Sequence, residues 1–429
     1  MKKVAVVALM VTLAASLTFA AGKPESGTAK SVTLKMGDNI SDRNSPWGQV
    51  IETINAEFTA ANAGLKIETE SYPDQPFQEK MRIYATAKQL PDVIKWWGLP
   101  ALYRPFVDAG YLAELDMKDY EALDFIPGSL EANVVNGKLY GLPVTTDFWV
   151  MYYNKRLLKE AGIAVPQTWE EIVAAVPAFK AKNIIPVVTD GKDSWPLSIT
   201  FETIAVRLSG DAKINQKAIE GKVKYTDQIF LDSARAFDGL VKAGVFQSDL
   251  ATTDYGAARN LFGQEQAAMY LMGSWELGLS TDTAFSESFR SSVGAAKFPV
   301  SKSGKGGADD LYAWFGGNYV VNAASSQLAL SKAYMKHYFQ RYPTLIWANQ
   351  AAFPAQKVNL TGKETALAKD LMNILGSAKA TSGILAYAAL TPAFDQVHEE
   401  ICRSLAAGIV TPEAFCAKLQ EAVEAAAKK

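Results

Sequence analysis

Trp275 stands just past the small apolar run Ala267-Ala268-Met269-Tyr270-Leu271-Met272, delivered by the pair Gly273-Ser274. The run has the length and flanks of a buried strand, so the indole falls at that strand's carboxyl end. In an open α/β sheet those ends face the crevice where ligands bind. An indole placed there is either a wedge in the core or a platform for a flat apolar surface. Other tryptophans repeat the placement. Trp96 and Trp97 follow a short strand, Trp149 lies in an extended segment, Trp195 follows Asp190-Gly191-Lys192-Asp193-Ser194, and Trp314 precedes Gly316-Gly317-Asn318. Each alone reads equally well as core. Together they cluster at loop edges beside Asp, Asn, Gln and Gly, which favours a groove for a molecule with an apolar face and a polar rim. A pyranose ring has that form: aromatic rings match its C–H face, and carboxylate, amide and guanidinium groups match its hydroxyls.

Reactive chemistry is sparse by comparison. The histidines, His337 and His398, each fall inside a helical pattern, and neither belongs to a His-x-x-x-His or Cys/His metal spacing. There is no Gly-x-Ser-x-Gly elbow, no Walker loop and no Gly-x-Gly-x-x-Gly fingerprint; Gly304-Lys305-Gly306-Gly307 lacks the phosphate-loop spacing and reads as surface loop. Carboxylates are plentiful, but no pair is singled out for glycoside cleavage. The expectation is therefore a binding protein without cofactor or metal rather than an enzyme.

Lys plus Arg is 43 against 45 Asp plus Glu, a balance with no electrostatic footprint for a nucleic-acid backbone. Residues 1–21 carry Lys2 and Lys3, an apolar run from Val4 to Leu17 and then Thr18-Phe19-Ala20-Ala21. That is the pattern of a cleaved secretory signal peptide, too short for a comfortable membrane span. No cysteine stands at the cleavage site to take a lipid, so the mature chain is expected in the periplasm. The cysteines, Cys402 and Cys416, fall on two helical patterns separated by Gly408 and Thr411-Pro412. A helical hairpin would bring them near each other, and an oxidising compartment permits either one disulfide or two separate buried thiols.

The elements that must position these side chains alternate. After a leader at 22–30, Val32 to Met36 reads as a strand, and Ser45-Pro46 opens a helix whose Trp47, Val50, Ile51, Ile54 and Phe58 fall on one face. A strand over 66–70, a helix over 77–87 and a strand over 91–94 follow, the alternation of a parallel sheet with crossover helices. Thr146 to Tyr153 is extended and long enough to leave one domain and enter another. Thr168 to Glu171 is a capping box, and helices are predicted over 155–161, 197–208, 228–242, 253–263 and 327–339. Strands are predicted over 293–298 and 318–322. The chain length exceeds the usual single domain, so two lobes with more than one crossing are expected.

These segments resemble the family 1 extracellular solute-binding proteins, the periplasmic components of ABC importers for sugars, a group that includes the maltose-binding proteins. The resemblance rests on Ile54-Asn55-Ala56-Glu57-Phe58, Pro91-Asp92-Val93-Ile94, Leu139-Tyr140-Gly141-Leu142-Pro143, Tyr152 to Leu158 with Ala161-Gly162-Ile163, Pro166 to Glu171, Phe262 to Trp275, and Gly316-Gly317 to Asn322. It implies an α/β, two-lobed Venus flytrap fold of type II-like topology, each lobe a mainly parallel sheet flanked by helices. The lobes would comprise 31–145 with 294–342 and 146–293 with 343–429. It also implies a monomer that closes on a sugar and docks transiently with the transporter's membrane subunits. By position, Trp275 matches the family's stacking residue, while Trp195 and the pair Trp96-Trp97 fall where family members place sugar-contacting aromatics. Asp38, Asn39 and Asp147 are the polar contacts it suggests, with Trp149, Trp314 and Gly317 nearby and Gln75 and Arg43 as weaker candidates. Asp147 reads equally as a residue that satisfies backbone groups at the crossing, and Asp38 as loop. Other classes that share the secretion signal are a carbohydrate-active lyase or hydrolase and a binding protein for a peptide, a polyamine or ferric ion.

Overall fold

The computed structural model describes residues 31–428; the expected signal peptide and leader lie outside the described residues. The first strand, β1 (Val32–Asp38), is followed by α1 (Pro46–Ala61), β2 (Leu65–Ser71), α2 (Asp74–Thr86), β3 (Val93–Trp96) and α3 (Pro100–Asp108). Helix α1 begins where the sequence places it: the Ser45 side chain accepts the Gly48 N–H, Pro46 occupies the first turn, and Val50, Ile51, Ile54 and Phe58 are buried. Strand β3 starts two residues later than predicted. Asp92 is taken up in brackets to its neighbours instead, accepting from the Lys35 N–H at 2.7 Å and the Ser325 hydroxyl at 2.6 Å.

The pivotal element is β4 (Gly141–Asn154), fourteen residues of which all but Thr146 and Tyr153 are buried. Beyond it come α4 (Trp169–Lys180), β5 (Ile185–Val188), α5 (Trp195–Ser209), α6 (Gln228–Lys242), α7 (Tyr255–Gly263) and β6 (Ala267–Gly273). Then follow β7 (Val293–Lys297), β8 (Ala313–Val321), α8 (Leu328–Ala348), α9 (Ala366–Gly376), α10 (Pro392–Ala406) and α11 (Pro412–Ala427). The predicted capping box opens α4, with Thr168 and Glu171 satisfying each other's backbone N–H groups.

Strand order is β2-β1-β3-β8-β4-β6-β5, with β7 also on β4. Pairs β1–β2, β1–β3 and β5–β6 are parallel, while β8 and β4 run antiparallel to their partners. Strand β4 is shared. Its residues 141–148 pair with β8, and its residues 149–154 pair with β6 and β7. The chain thus forms two lobes, with buried clusters on both faces of the first sheet and one large cluster around the second. Strand β7, whose residues from 294 on were expected in the first lobe, pairs with the second-lobe half of β4. Strand β5 is absent from the predicted elements. Its four residues carry a proline and sit inside a longer polar context, so period and length gave no signal.

The lobes touch. Leu99, just before α3, and Ala101 within it pack with the second lobe's buried cluster, and α3 lies against α10. Among the described residues no helix is long and apolar enough to cross a membrane.

Candidate functional site

Strand β6 is buried along its whole length and ends at Gly273, where a short 3-10 segment, Ser274–Ser280, begins. Trp275 is half-buried on that turn, its six-membered ring laid over Gly273 so closely that a Cβ there would lie 2.0 Å from it. The ring centroids of Trp195, Trp314 and Trp149 lie 5.7, 6.0 and 6.1 Å away. Trp149 is sealed beneath at 1% exposure and Trp314 is buried at 8%, so both serve as the bed on which Trp275 and the half-buried Trp195 rest. Tyr255 continues the row, 6.4 Å from Trp195.

The turn is held from behind. Glu276 is buried and accepts from Arg259 Nε at 2.9 Å and from the Tyr255 hydroxyl, and the other arm of Arg259 reaches Asp282 at 2.9 Å. Two carboxylates at one guanidinium keep it charged, above its already high ordinary value in spite of its burial. The same turn meets the first lobe: a Cβ on Gly278 would lie 3.6 Å from Pro46 Cγ, at the start of α1.

The first lobe's contribution centres on Lys95, a buried lysine that sequence reasoning missed. Its ammonium donates to Asn39 Oδ1 at 2.6 Å and stands 5.0 Å from the Trp47 ring and 5.9 Å from the Trp97 ring. Asn39 passes the chain on, donating through Nδ2 to Asp74 at 2.9 Å. Burial depresses the Lys95 ammonium, with the charges of Asp74, Asp38 and Asp147 acting against it. Burial pushes Asp74 up to about 6, countered by Lys95 and Asn39 and reinforced by the charge of Asp193 of the second lobe. The one signal in the sequence was a lysine inside the otherwise apolar Val93-Ile94-Lys95-Trp96.

Asp147 sits on β4 opposite Trp314 of β8. Its Oδ2 accepts from the Thr145 hydroxyl at 2.9 Å, its Oδ1 has no protein partner, and burial pushes it up to about 7. Gly316 makes the room, since a Cβ there would fall 1.7 Å from that carboxylate. Gly317 holds a left-handed backbone at φ +59 inside the same strand and shapes β8. Gln75 is a half-buried residue of the first turn of α2, next to Asp74.

Several expected contacts are occupied inside the lobes. Trp96 is core rather than lining, at 1% exposure, with its Nε1 donating to the Leu102 carbonyl at 3.2 Å and its ring 4.7 Å from Phe106. Its neighbour Trp97 is the half-buried one. Asp38 is fully buried and already saturated, accepting from Arg43 at 2.8 Å and from the Ser71 hydroxyl and Ile40 N–H at 2.9 Å each. Arg43 is spent on Asp38, Ser71 and Glu52. This pair fastens the loop after β1. Cys402 and Cys416 are both buried and unbonded, the Cys402 sulfur lying 3.7 Å from His398 Nδ1. His398 is a core histidine, fully buried and bonded to Ser198 at 3.0 Å, with burial holding it down to about 3.

Comparison with known proteins places these features in context. The sequence profile described as bacterial extracellular solute-binding protein matches residues 38–340. A multiple sugar-binding protein of Streptococcus mutans is 27% identical over 314 residues, 70% of this chain and 71% of that one. A structure solved in work on xylan utilization by Caldanaerobius polysaccharolyticus superposes with TM-score 0.83 at 25% identity, covering 91% of this chain and 99% of the other. A chitin oligosaccharide binding protein superposes with TM-score 0.80 at 25% identity, covering 93% and 100%.

Proposed function

Since the chain belongs to the bacterial extracellular solute-binding protein family, we propose that it captures a mono- or oligosaccharide between its lobes and delivers it to the membrane subunits of an ABC importer. The observation that carries this reading is Trp275: a half-buried indole, bedded on three others, at the carboxyl end of a central strand where the second lobe meets the first. The Streptococcus mutans relative, named for multiple sugars, supports the ligand class. The signal-peptide pattern in residues 1–21 supports a periplasmic place of action for the mature chain.

Binding here makes and breaks no covalent bond. Trp275 and Trp195 supply the flat faces, with Trp97 and Trp47 opposite. Asn39, Lys95, Asp74 and Gln75 supply donors and acceptors for hydroxyls, and Asp147 lies at the crossing between them. Among the described residues no group of His, Cys, Asp and Glu is arranged to hold a metal ion. We assign residues 31–148 and 313–357 to the first lobe and 149–312 and 358–428 to the second, on strand pairing, backbone hydrogen bonds and the buried clusters. A sugar that touches both lobes stabilises the form in which they meet, by its difference in affinity for the two forms and no more.

A thermal-shift screen of mono- to tetrasaccharides, followed by calorimetry on those that act, tests the reading. A sugar at 100 times its Kd is expected to raise stability by about 2.7 kcal/mol. If no saccharide shifts the transition while an amino acid, peptide or polyamine does, the ligand class is wrong and the clamshell serves another solute.

A further inference from the structure

Carboxylates of both lobes act on one another, and few cations answer them. Asp74 comes from the start of α2, Asp190 and Asp193 from the loop between β5 and α5, and Asp395 and Glu399 from one face of α10. They sense one another: the charge of Asp193 acts on Asp190, Asp74 and Glu399, and that of Asp395 on Glu399. On the cationic side stand Lys95, committed to Asn39 and two indole faces, and Arg82, exposed at the rim of α2 and bonded to Gln78 at 3.3 Å. Lys192, within the acidic loop, reaches away to Asp254 at 3.3 Å, and Arg403 of α10 donates to the Lys192 carbonyl at 3.3 Å.

A separate observation concerns Asp190. It is 0% exposed; its Oδ1 accepts the Asp193 N–H at 3.0 Å, and its Oδ2 has no protein partner. A buried carboxylate oxygen without a donor is costly, and the neighbour it faces is a second carboxylate, Asp193, whose own Oδ2 is met by the Tyr255 N–H at 3.3 Å. Asp193 also adjoins the aromatic row, with Trp195 two residues on and the Tyr255 ring tilted against that indole at 6.4 Å. A carboxylate bonded at the backbone of such an aromatic row is a receptor for a cation carried on a flat ring.

We propose that the gap selects a saccharide bearing a protonated amine, held by Asp190 and Asp193 at the edge of the Trp195–Trp275 platform, over the corresponding neutral and acidic sugars. The proposal rests on the saccharide reading above and names its class. Burial first, then Asp193, raises Asp190 to about 9, burial raises Asp395 to about 7, and Glu399 is raised for the same reason with Asp395 adding. An ammonium supplies the missing charge and up to three donors. A hydroxyl supplies donors without charge, and a uronate adds a further carboxylate to the group.

The test is calorimetry on the intact mature chain with glucosamine and its di- and trisaccharide, the N-acetylated forms, the glucose, cellobiose and cellotriose series, and glucuronate. The best free-amine sugar is expected to bind at least about tenfold more tightly than its neutral counterpart, a difference of about 1.4 kcal/mol, with the ratio shrinking as salt is raised. Asp193→Asn, on a half-buried side chain, is expected to lower that ratio at least about threefold; Asp190→Asn is the companion variant if it folds. A neutral sugar that binds as tightly as its amine, or a ratio that Asp193→Asn leaves unchanged, overturns the amine assignment while the saccharide reading stands. Failure of every sugar in the wider screen removes both.

Discussion

Substituting Gly273 by alanine separates the indole platform from the strand that carries it. At Gly273 the backbone is extended, φ −83 and ψ 167, a conformation alanine adopts freely, so the substitution costs β6 nothing in backbone strain. The added methyl would meet three ring atoms of Trp275 at 2.0, 2.2 and 2.4 Å. Ordinary carbon contacts are about 3.5–4.0 Å, so the ring must retreat by roughly 1.5 Å. It has little room to go back or sideways, because Trp149, Trp195 and Trp314 surround it. The ring is therefore driven off its bed toward the gap, with an overpacking cost of about 1–3 kcal/mol to the fold. For ligand binding, the loss of a central aromatic anchor is about 2 kcal/mol or more, roughly 30-fold in Kd. Calorimetry with the best sugar from the screen measures it, and tryptophan emission reports the displaced ring. Trp275→Ala should weaken binding at least as much. It should destabilise the fold by less than the about 3–5 kcal/mol of a fully buried tryptophan, since this one is half-buried. The two substitutions act on the same ring, so adding Gly273→Ala to Trp275→Ala should do little more. A Kd for Gly273→Ala within threefold of the parent chain, or additive losses in the double variant, would refute the platform.

Arg259→Met leaves Glu276 and Asp282, both buried, without their shared guanidinium. Urea melts should show a loss of about 3–5 kcal/mol, and a loss under 1 would contradict the clamp behind Trp275. Burial raises Asp147 to about 7 from an unfolded value of 3.8, so between those pH values the folded chain holds a proton that the unfolded chain has released. Stability therefore falls as pH climbs through that window, by at most about 1.4 kcal/mol per unit from this group. Asp147→Asn should flatten that part of the stability–pH curve; parallel curves for the two chains would mean that Asp147 is ionised in the fold. Because Cys402 and Cys416 are buried and unbonded, a reductant should leave the melting temperature unchanged, and both thiols should react with a thiol reagent only after unfolding. A reductant-sensitive transition would instead indicate a disulfide.

The sequence conveyed the order of elements well and the direction of side chains poorly, and neighbouring residues show why. Trp96 and Trp97 were equal candidates, yet Trp96 is the last residue of a strand buried on all four positions and turns inward, whereas Trp97 is the first residue past it. Asp38 and Asn39 divide in the same way, the first closed on Arg43 and Ser71 and the second open to Lys95 and Asp74. One residue of phase decides each case, and phase is set by partners distant in the chain. The helical hairpin around the cysteines was legible from Gly408 and Pro412, but the direction of each Cβ on its helix was not, and Cys402 turns to His398. Least legible was the acidic gathering. Asp74, Asp190, Asp193, Asp395 and Glu399 come from three segments distant in the chain and yet their charges act on one another, which no local spacing encodes.

Strand β4 connects this geometry to motion between the lobes. It passes from the first sheet to the second between Phe148 and Trp149 without a break in pairing, and among the described residues the assigned lobes are joined again between β7 and β8 and beyond α8. Any change in the angle between lobes must be absorbed at those three passages, since β6 and β3, which carry the principal site residues, are buried along their lengths. Asp147 and Trp314 lie opposite one another in the register at the first of them. Their side chains are thus placed to feel lobe rotation directly, whereas Trp275 and Lys95 are carried by it as parts of rigid bodies. Substitutions at Asp147 should accordingly alter the balance between lobe arrangements and its pH dependence, and substitutions at Trp275 should alter contact with the ligand. Measuring both affinity and the ligand-induced change in lobe separation for each variant distinguishes the two roles, because a residue that acts only through closure changes them together.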